Sequence, residues 1–343
     1  MNPGRPLSSL KQISAKLGVS CTTISRVLSG QAGKYRISDR TAARVRELVK
    51  KENYTPNPIA RSLRLRKTHT IGLVIPDIAN PFFAGIARQV VSQTRPRGYS
   101  IILCDSEENA DLERQAVALL WNRRVDGMIV CPVGRSPEDF SGTARDNRPV
   151  VLVDRVFPGA TLPSVTSDNL AGGRMAAEYL LENGHRRIAC LRGIRESAPG
   201  KARVAGYLAA LEKNGVRPDD TLIAGDSYGE RAGYLDTKHL LLESPGFTAL
   251  FATSNLLALG ALRALSEAGL RVPDDVSLVA YDDLPYLRQL SPPLTTVAQP
   301  VADMGVAAVR LLLGRLEPCP DAPKTPIILP PTLVIRESVR KIT

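Results

Sequence analysis

From residue 69 onward, short continuous apolar runs alternate with segments of helical length. A continuous apolar run predicts a strand that is covered on both faces, and such strands separated by helices predict parallel sheets of the α/β class. The alternation continues long enough for two sheets, so we expect two doubly wound lobes. The predicted strands are residues 71–75, 100–104, 127–130, 150–153, 187–191, 221–224, 249–252 and 276–280.

Polar residues stand directly after several of these predicted strands. In open α/β sheets, ligands bind outside the carboxyl ends of the strands. The row therefore predicts a ligand cleft at one edge of the two sheets. Its members are Asp77, Asp105, Asp154, Asp226, Ser254 and Asp282.

The first 55 residues follow a helical pattern instead. Leu10, Ile13 and Leu17 recur at the spacing of one helix face, and a second apolar set, at 24, 27 and 28, repeats it after Gly18. Two short amphipathic helices joined by a glycine-containing turn are expected. A third helix is predicted over residues 38–52.

Charge is concentrated in the same N-terminal part of the chain. Residues 1–68 hold fifteen Lys and Arg against three Asp and Glu, whereas the remaining 275 residues hold thirty against thirty-one. Because the basic residues are interspersed with apolar positions at helical spacing, the segment should fold. A folded basic module on a neutral body indicates a nucleic-acid-binding protein.

The start of the second helix is the expected contact with bases. Ser20 is placed to cap it, which leaves Cys21, Thr22 and Thr23 in the first turn, where a helix-turn-helix protein meets base edges. Arg26 lies one turn further along the same face. Since Cys21 and Thr22 are short, Arg26 should supply the strongest base contact, to guanine.

Composition narrows the remaining classes. A chain of 343 residues predicts two or three domains, and we expect a soluble, cytoplasmic protein because no apolar run has membrane-spanning length. The five cysteines form no CxxC pair and the three histidines have no metal-ligand spacing. We therefore expect no cofactor, no metal and no catalytic residue.

Several segments of the sequence resemble the LacI/GalR family of transcriptional regulators. They are ISRVL (24–28), YTPNPIARSLR (54–64), TIGLVIPDIANPFF (70–83), VLVDR (151–155) and RVPDDVSLVAYDD (271–283). The loop at 30–37 is similar to that of the fructose-repressor branch. The resemblance implies a helix-turn-helix head (1–55), a hinge helix with linker (56–68) and a two-lobed effector-binding core like periplasmic sugar-binding proteins (69–343).

Within the hinge helix, the resemblance assigns DNA contacts to Asn57, Ala60 and Leu63. Leu63 matches the leucine that inserts into the minor groove, where an apolar wedge unstacks a base step and bends the duplex.

In the core, the resemblance implies an effector site between the lobes. Arg203 matches a clamping arginine and Asp282 an aspartate that accepts hydrogen bonds from effector hydroxyls. Ser254 stands where many relatives have a pocket asparagine. The other assigned residues are Phe82, Phe83, Asp154 and Tyr228.

The resemblance also predicts three crossovers between the lobes, near residues 163–166, 292–297 and 326–330. The N-lobe is then expected at about 69–164 and 297–326, and the C-lobe at about 165–296 and 327–343.

Together these features predict a homodimeric repressor of carbohydrate catabolism genes that binds a near-palindromic operator and responds to a sugar or sugar derivative. Two alternatives remain open. A periplasmic-type solute receptor would share the core. The basic head and the missing signal peptide both argue against this alternative. An α/β enzyme would share the fold, but the sequence has no GxxxxGK[ST], HExxH or GxSxG motif.

Overall fold

The computed structural model describes residues 9–28, 30–52, 54, 67–134, 148–157, 159–317 and 326–342. The chain divides into two compact units, residues 1–68 and 69–343.

The N-terminal unit contains the three predicted helices, α1 (Leu10–Leu17), α2 (Cys21–Leu28) and α3 (Asp39–Lys51). Ser9 caps α1 by accepting a hydrogen bond from the Gln12 amide at 3.3 Å, and α1 ends at Gly18, whose left-handed φ of 66° favours glycine. Ser38 caps α3 by accepting from the Thr41 amide at 3.3 Å. The predicted third helix is thus confirmed to within one residue at each end.

The three helices meet in one small core. Its fully buried members come from all three helices, and Leu10, Leu17 and Leu48 pack around them partly buried. The apolar spacing in the sequence therefore marks the inner face of each helix. The buried members are Ile13, Ile24, Val27, Ala42 and Val45.

The second unit contains two six-stranded sheets. In the first sheet the order is β11-β5-β4-β3-β1-β2 and the paired strands are parallel. Its strands are β1 (Thr70–Ile75), β2 (Ser100–Asp105), β3 (Gly127–Val130), β4 (Val150–Val153), β5 (Ser164–Ser167) and β11 (Ile327–Leu329).

The second sheet has the equivalent order β12-β10-β9-β8-β6-β7, with β12 antiparallel to β10 and the other pairs parallel. Its strands are β6 (Ile188–Leu191), β7 (Ile223–Ala224), β8 (Ala249–Ala252), β9 (Ser277–Tyr281), β10 (Thr295–Ala298) and β12 (Thr332–Val334).

Helices cover both sheets and bury the apolar strands. Separate hydrophobic clusters lie on the two faces of each sheet. The helices are α4 (Pro81–Thr94), α5 (Ala110–Asn122), α6 (Asn169–Glu182), α7 (Ala198–Lys213), α8 (Glu230–Glu243), α9 (Asn255–Glu267) and α10 (Val301–Leu316). Across the described part of the chain, no helix combines the length and apolar character that a bilayer crossing requires.

The eight predicted strands agree with the structure to within one residue, except at one beginning. Residues 221–222 belong to a 3₁₀ turn (Asp220–Leu222), and the strand starts at Ile223. The Asp219 carboxylate accepts hydrogen bonds from the amide and the hydroxyl of Thr221 at 3.0 and 2.6 Å. These hydrogen bonds from the backbone and side chain of Thr221 to Asp219 stabilise a turn at residues whose types favour a strand.

The expected lobe boundaries require a correction. Segments 163–166 and 326–330, predicted as crossovers, contain β5 and β11 of the first sheet, while β10 belongs to the second sheet. The chain therefore passes between lobes after residues 167, 298 and 329. β-Branched residues such as Val165, Thr166 and Ile327 favour strand pairing, so each segment extends a sheet before the chain crosses.

Candidate functional site

A cavity lies between the two lobes at the carboxyl ends of their strands. Asp154 follows β4, whereas Ser254 and Asp282 follow strands of the second sheet. The cavity is lined by Asn80, Phe82, Phe83, Glu108, Asp154, Arg155, Pro199, Arg203, Tyr228, Ser254, Asp282 and Gln299.

All seven residues that the sequence assigned to the core site lie in this lining, although they come from both lobes. Three of the six polar residues at strand ends do not. Asp77 accepts the Ala79 amide of its own loop, Asp105 accepts the amides of Glu107 in its own loop and of Ile78 in the loop after β1, and Asp226 accepts the Arg195 amide at 3.3 Å. These three carboxylates hold loops in place because a strand end carries turn-forming residues as often as ligand-binding ones.

Asp154 and Asp282 have equivalent positions in the two lobes. Each follows a central strand, and each has a left-handed backbone conformation, with φ of 68° and 72°. Their amides donate to Val165 and Val297, which lie on the neighbouring strand of the respective sheet, both at 2.9 Å. Non-glycine residues adopt this conformation rarely and often at functional sites, and here it directs two carboxylates into one cavity.

Asp282 is held by two amide side chains. Gln299 Nε2 donates to its Oδ1 at 2.7 Å, and Asn255 Nδ2 donates to its Oδ2 at 3.1 Å. Asn255 also receives a hydrogen bond from the Tyr286 hydroxyl and approaches Asn80 Oδ1 of the first lobe at 3.4 Å. The carboxylate is therefore fixed before any ligand arrives.

Asp154 is less well satisfied. No hydrogen-bond partner for its Oδ1 occurs among the described residues, and its Oδ2 lies 3.7 Å from Arg155 Nε. Burial raises the pKa of this carboxyl to about 6, and the positive charges of Arg155 and Arg203 only partly oppose that effect. A ligand hydroxyl at Oδ1 would supply the missing hydrogen bond.

Arg203 is buried and already engaged by the protein. Its Nε donates to Asn169 Oδ1 at 2.8 Å and its Nη1 to the Thr253 carbonyl at 2.7 Å. The guanidinium also lies over the Tyr281 ring, 3.7 Å from the ring centre. Two of its three nitrogens are thus used to fix its plane, which the sequence could not indicate.

Arg155 also lines the cavity and is held by an ion pair. Both of its Nη atoms donate to the Glu108 carboxylate at 2.6 Å, in the two-pronged geometry that guanidinium and carboxylate favour. Its guanidinium lies between the rings of Phe83 and Tyr228, 5.8 and 5.9 Å from their centres. The ion pair closes one side of the cavity.

Aromatic rings cover the apolar side. Phe82 and Phe83 are both buried and pack edge to face, with ring centres 5.0 Å apart. Tyr228 also lines the cavity, and its hydroxyl shares a 2.7 Å hydrogen bond with Ser197. Gly193 lies directly beneath the Tyr228 ring, where a Cβ would collide with it. The small residue is what permits the ring to lie there.

Ser254 also stabilises the start of a helix. Its hydroxyl caps α9 by accepting from the Leu257 amide at 3.3 Å. Compared with an asparagine at this position, the short side chain leaves more room in the cavity. The neighbouring Asn255 provides the amide that contacts Asp282.

Sequence reasoning missed five lining residues. Asn80 and Arg155 lie inside segments that it singled out, so their positions next to Phe82 and Asp154 were a usable signal. Pro199 lies in the same helix as Arg203, and Gln299 ends the segment SPPLTTVAQ (291–299), which also resembles the family, whereas Glu108 carries no local signal. The structure shows the roles of Glu108 and Gln299 through their hydrogen bonds to Arg155 and Asp282.

In the N-terminal unit, the predicted cap of α2 is present. Ser20 Oγ accepts from the Thr23 amide at 3.1 Å, and Thr22 is exposed on the first turn. Cys21 is half-buried, with its sulfur 3.8 Å from the Leu10 carbonyl oxygen of α1. Of the two short residues expected to face bases, Thr22 is therefore the more accessible.

Arg26 of α2 is half-buried, and its guanidinium contacts an aromatic ring. It stacks over the ring of Tyr35, which is 41% exposed and lies in the loop before α3. Asn57, Ala60 and Leu63, the expected hinge contacts, lie outside the described residues.

Comparison with protein-family models matches both parts of the chain. Residues 9–57 match the model described as bacterial regulatory proteins, lacI family. Residues 177–339 match the model described as periplasmic binding protein-like domain.

Individual proteins match over nearly the whole length. The chain is 33% identical to the HTH-type transcriptional repressor PurR of Edwardsiella ictaluri, covering 97% of both chains. It is 34% identical to the ribose operon repressor of Halalkalibacterium halodurans, covering 97% of this chain and 98% of that protein. Among solved structures, the lac repressor dimer bound to operator and the anti-inducer ONPF matches with 28% identity and a TM-score of 0.86, covering 98% of this chain and 100% of that one.

Proposed function

Since the chain belongs to the lacI family of bacterial regulatory proteins, we propose that it is an operator-binding transcriptional repressor whose DNA affinity is set by a small polar effector. The effector class is a sugar or sugar derivative, and the regulated genes are those of carbohydrate catabolism. The protein acts as a homodimer, as the lac repressor structure is a dimer on its operator, and it catalyses no reaction.

One observation carries this proposal. Seven residues chosen from the sequence as effector contacts, spread from 82 to 282, line a single cavity between two lobes. The same chain carries a three-helix unit in the basic segment 1–68. A ligand-controlled regulator requires a DNA-binding module and a ligand-binding cavity in one chain, and this chain has a candidate for each.

The head binds DNA through α2. Its first turn, with Thr22 and Thr23, enters the major groove, and Arg26 contacts a guanine, for which a guanidinium offers paired donors. Two heads of a dimer then occupy half-sites about one helical turn apart. Leu63 of each hinge segment wedges into the minor groove and bends the operator between them.

The cavity couples ligand to DNA because it is shared by both lobes. Asp154 and Arg155 belong to the first lobe, whereas Arg203 and Asp282 belong to the second. A ligand that bonds to both carboxylates favours one relative orientation of the lobes, and this orientation biases the hinge segments. Such coupling is typically about 1–3 kcal/mol, so operator affinity should change roughly tens-fold.

The test starts with DNA selection. Genomic fragments retained by the purified protein are sequenced, and binding to the enriched site is measured at several salt concentrations. We expect a near-palindromic site and an affinity that falls steeply with salt, because phosphate contacts release counterions. Retention of fragments with no shared sequence would contradict sequence-specific regulation.

A further inference from the structure

The loop between α2 and α3 is anchored to the hydrophobic core of the three head helices. Ala32 and Ile37 pack partly buried against this core, and the Ile37 amide donates to the Ala32 carbonyl at 2.9 Å. Within the loop, the Tyr35 amide donates to the Gln31 carbonyl at 3.2 Å. Residues 33–36 therefore form a closed turn, and all of them are exposed.

The aromatic ring of Tyr35 lies on the guanidinium of Arg26 and not in the core. The guanidinium carbon is 3.8 Å from the ring centre, and Tyr35 is 41% exposed. The next residue, Arg36, has a left-handed backbone conformation with φ of 51°. Non-glycine residues adopt this conformation rarely, and it persists where the surrounding structure enforces it, often at functional sites. The turn thus holds an exposed ring against an arginine that is expected to contact a base.

This stacking restricts where the Arg26 guanidinium points. A guanidinium carries its N–H donors in its own plane, so a ring against its face does not block the edge that pairs with O6 and N7 of a guanine. Rotation of the side chain toward a phosphate would separate it from the ring. At an exposed site such a contact changes an equilibrium constant about two- to fivefold. The ring therefore favours one orientation of Arg26 over the others.

The residues beside Tyr35 are suited to phosphates. Lys34 and Arg36 stand on either side of it and are both exposed, and residues 30–38 contain no Asp or Glu. Phosphate contacts hold a protein on DNA but carry no sequence information. With two cations of this loop available for the phosphates, the Arg26 guanidinium can serve a base.

We propose that Tyr35 is a positioning residue that determines how well the head discriminates its operator from other DNA. Its ring holds the Arg26 guanidinium toward base edges, while Lys34 and Arg36 contact the phosphates beside it. The inference rests on the proposed function and adds a residue outside α2 to sequence recognition. It predicts a change in the ratio of operator affinity to random-DNA affinity, whereas the loss of a phosphate contact weakens all sequences alike.

The test measures this ratio on the full-length protein with two probes of equal length, the operator enriched from genomic DNA and a scrambled sequence of the same composition. Tyr35→Ala should lower the ratio about two- to fivefold, because the operator is weakened and the scrambled DNA is not. Tyr35→Phe keeps the ring and should keep the ratio. Lys34→Ala is the matched control from the same turn, and it should weaken both DNAs by the same factor and reduce the salt dependence by about one phosphate contact.

A double-variant cycle shows whether Tyr35 acts through Arg26. In the Arg26→Ala protein, the further change Tyr35→Ala should leave the ratio as it is, because no guanidinium remains to be held. If Tyr35→Ala lowers the ratio equally with and without Arg26, the tyrosine contacts DNA by itself and the proposal is wrong. An unchanged ratio in Tyr35→Ala alone, or an equal loss on both DNAs, also overturns it. Tyr35→Leu keeps side-chain bulk without an aromatic face and should match Tyr35→Ala, so a folding defect of the smaller side chain is recognised.

Failure of this inference and failure of the proposed function give different results. An enriched operator whose affinity ratio is insensitive to Tyr35 would keep the regulator and refute the role of the tyrosine. Retention of DNA without a shared sequence would refute sequence-specific regulation, and Tyr35 would then have no base-reading arginine to position.

Discussion

The guanidinium of Arg26 lies 3.8 Å from the centre of the Tyr35 ring. Arg26 is on α2, whereas Tyr35 belongs to the loop at 30–37 that leads to α3. Backbone hydrogen bonds from the Gln31 amide to the Arg26 carbonyl and from the Ile37 amide to the Ala32 carbonyl, both 2.9 Å, fold this loop against the end of the helix. The loop thus supplies a face on which the arginine rests, and stacking of this kind restricts its orientation.

If Arg26 reads a base, Arg26→Ala should weaken the best operator by about 1–3 kcal/mol and random DNA by less, because only the specific site loses a base contact. Titration of both DNAs at one salt concentration measures the difference. Equal losses would show that Arg26 contacts phosphate alone.

Tyr35→Ala should weaken the best operator by about 0.5–1 kcal/mol, since the arginine then loses a stacking partner at an exposed site. Tyr35→Phe keeps the ring and serves as the matched control, with affinity close to that of the unchanged protein. If the two variants lose equal affinity, the tyrosine hydroxyl matters and the stacking does not.

The Asp154 carboxyl couples the stability of the second unit to pH. Its pKa is raised by burial to about 6, above the value of about 3.9 expected in the unfolded chain. The folded state therefore binds a proton more readily, and the ionised group destabilises it above pH 6. This penalty disappears as pH falls from 6 to 4, so the contribution of Asp154 to stability rises in that window.

Asp154→Asn should accordingly stabilise the ligand-free protein by about 1–3 kcal/mol at pH 7 and by less at pH 5. Denaturant unfolding of both proteins at each pH gives the difference between their free energies of unfolding. Other titrating groups, such as His185, contribute equally to both proteins and cancel in this difference. A difference that stays constant with pH would show that Asp154 has an ordinary pKa.

Close packing of α6 on α7 sets the position of Arg203. A Cβ at Gly206 would collide with backbone atoms of Leu170 and Arg174 on α6. Gly206→Ala should therefore destabilise the protein by about 1–3 kcal/mol through overpacking, even though alanine is the better helix former. It should also weaken ligand binding, because Arg203 lies one turn earlier on the same helix.

The control for this substitution is Gly229→Ala. Gly229 precedes α8 with an extended backbone, and a Cβ there would meet open space. Replacing glycine by alanine at a helix cap costs below about 1 kcal/mol, and ligand affinity should not change. Calorimetric unfolding that shows similar losses for both variants would contradict the packing argument.

Asp282→Asn should abolish the response of the operator complex to ligand while leaving operator affinity without ligand unchanged. The substitution keeps the shape of the side chain, but one oxygen becomes a donor that faces either Gln299 Nε2 or Asn255 Nδ2. Titration with the effector should show at least a tenfold loss of affinity, since buried groups left unpaired are costly. Arg203→Ala is a poorer probe, because it leaves the Asn169 and Thr253 oxygens unpaired and weakens the fold itself.

The sequence by itself determined the elements of this protein. The three head helices, the central strands and the left-handed Gly18 follow from apolar spacing, caps and turn residues, which act over a few neighbouring positions. The family resemblance selected the seven residues of the cavity, and the strand-end positions independently indicated three of them, Asp154, Ser254 and Asp282.

Tertiary structure decided how those residues are used. The ion pair of Arg155 with Glu108 joins positions 47 apart, and the bonds of Arg203 to Asn169 and Thr253 join positions 34 and 50 apart. The pairing of β11 with β5 likewise converts two expected crossovers into strands. No periodicity along the chain records such partners, because each depends on two segments meeting in space. The hydrogen-bond partners of the cavity's charged side chains are therefore a property of the fold.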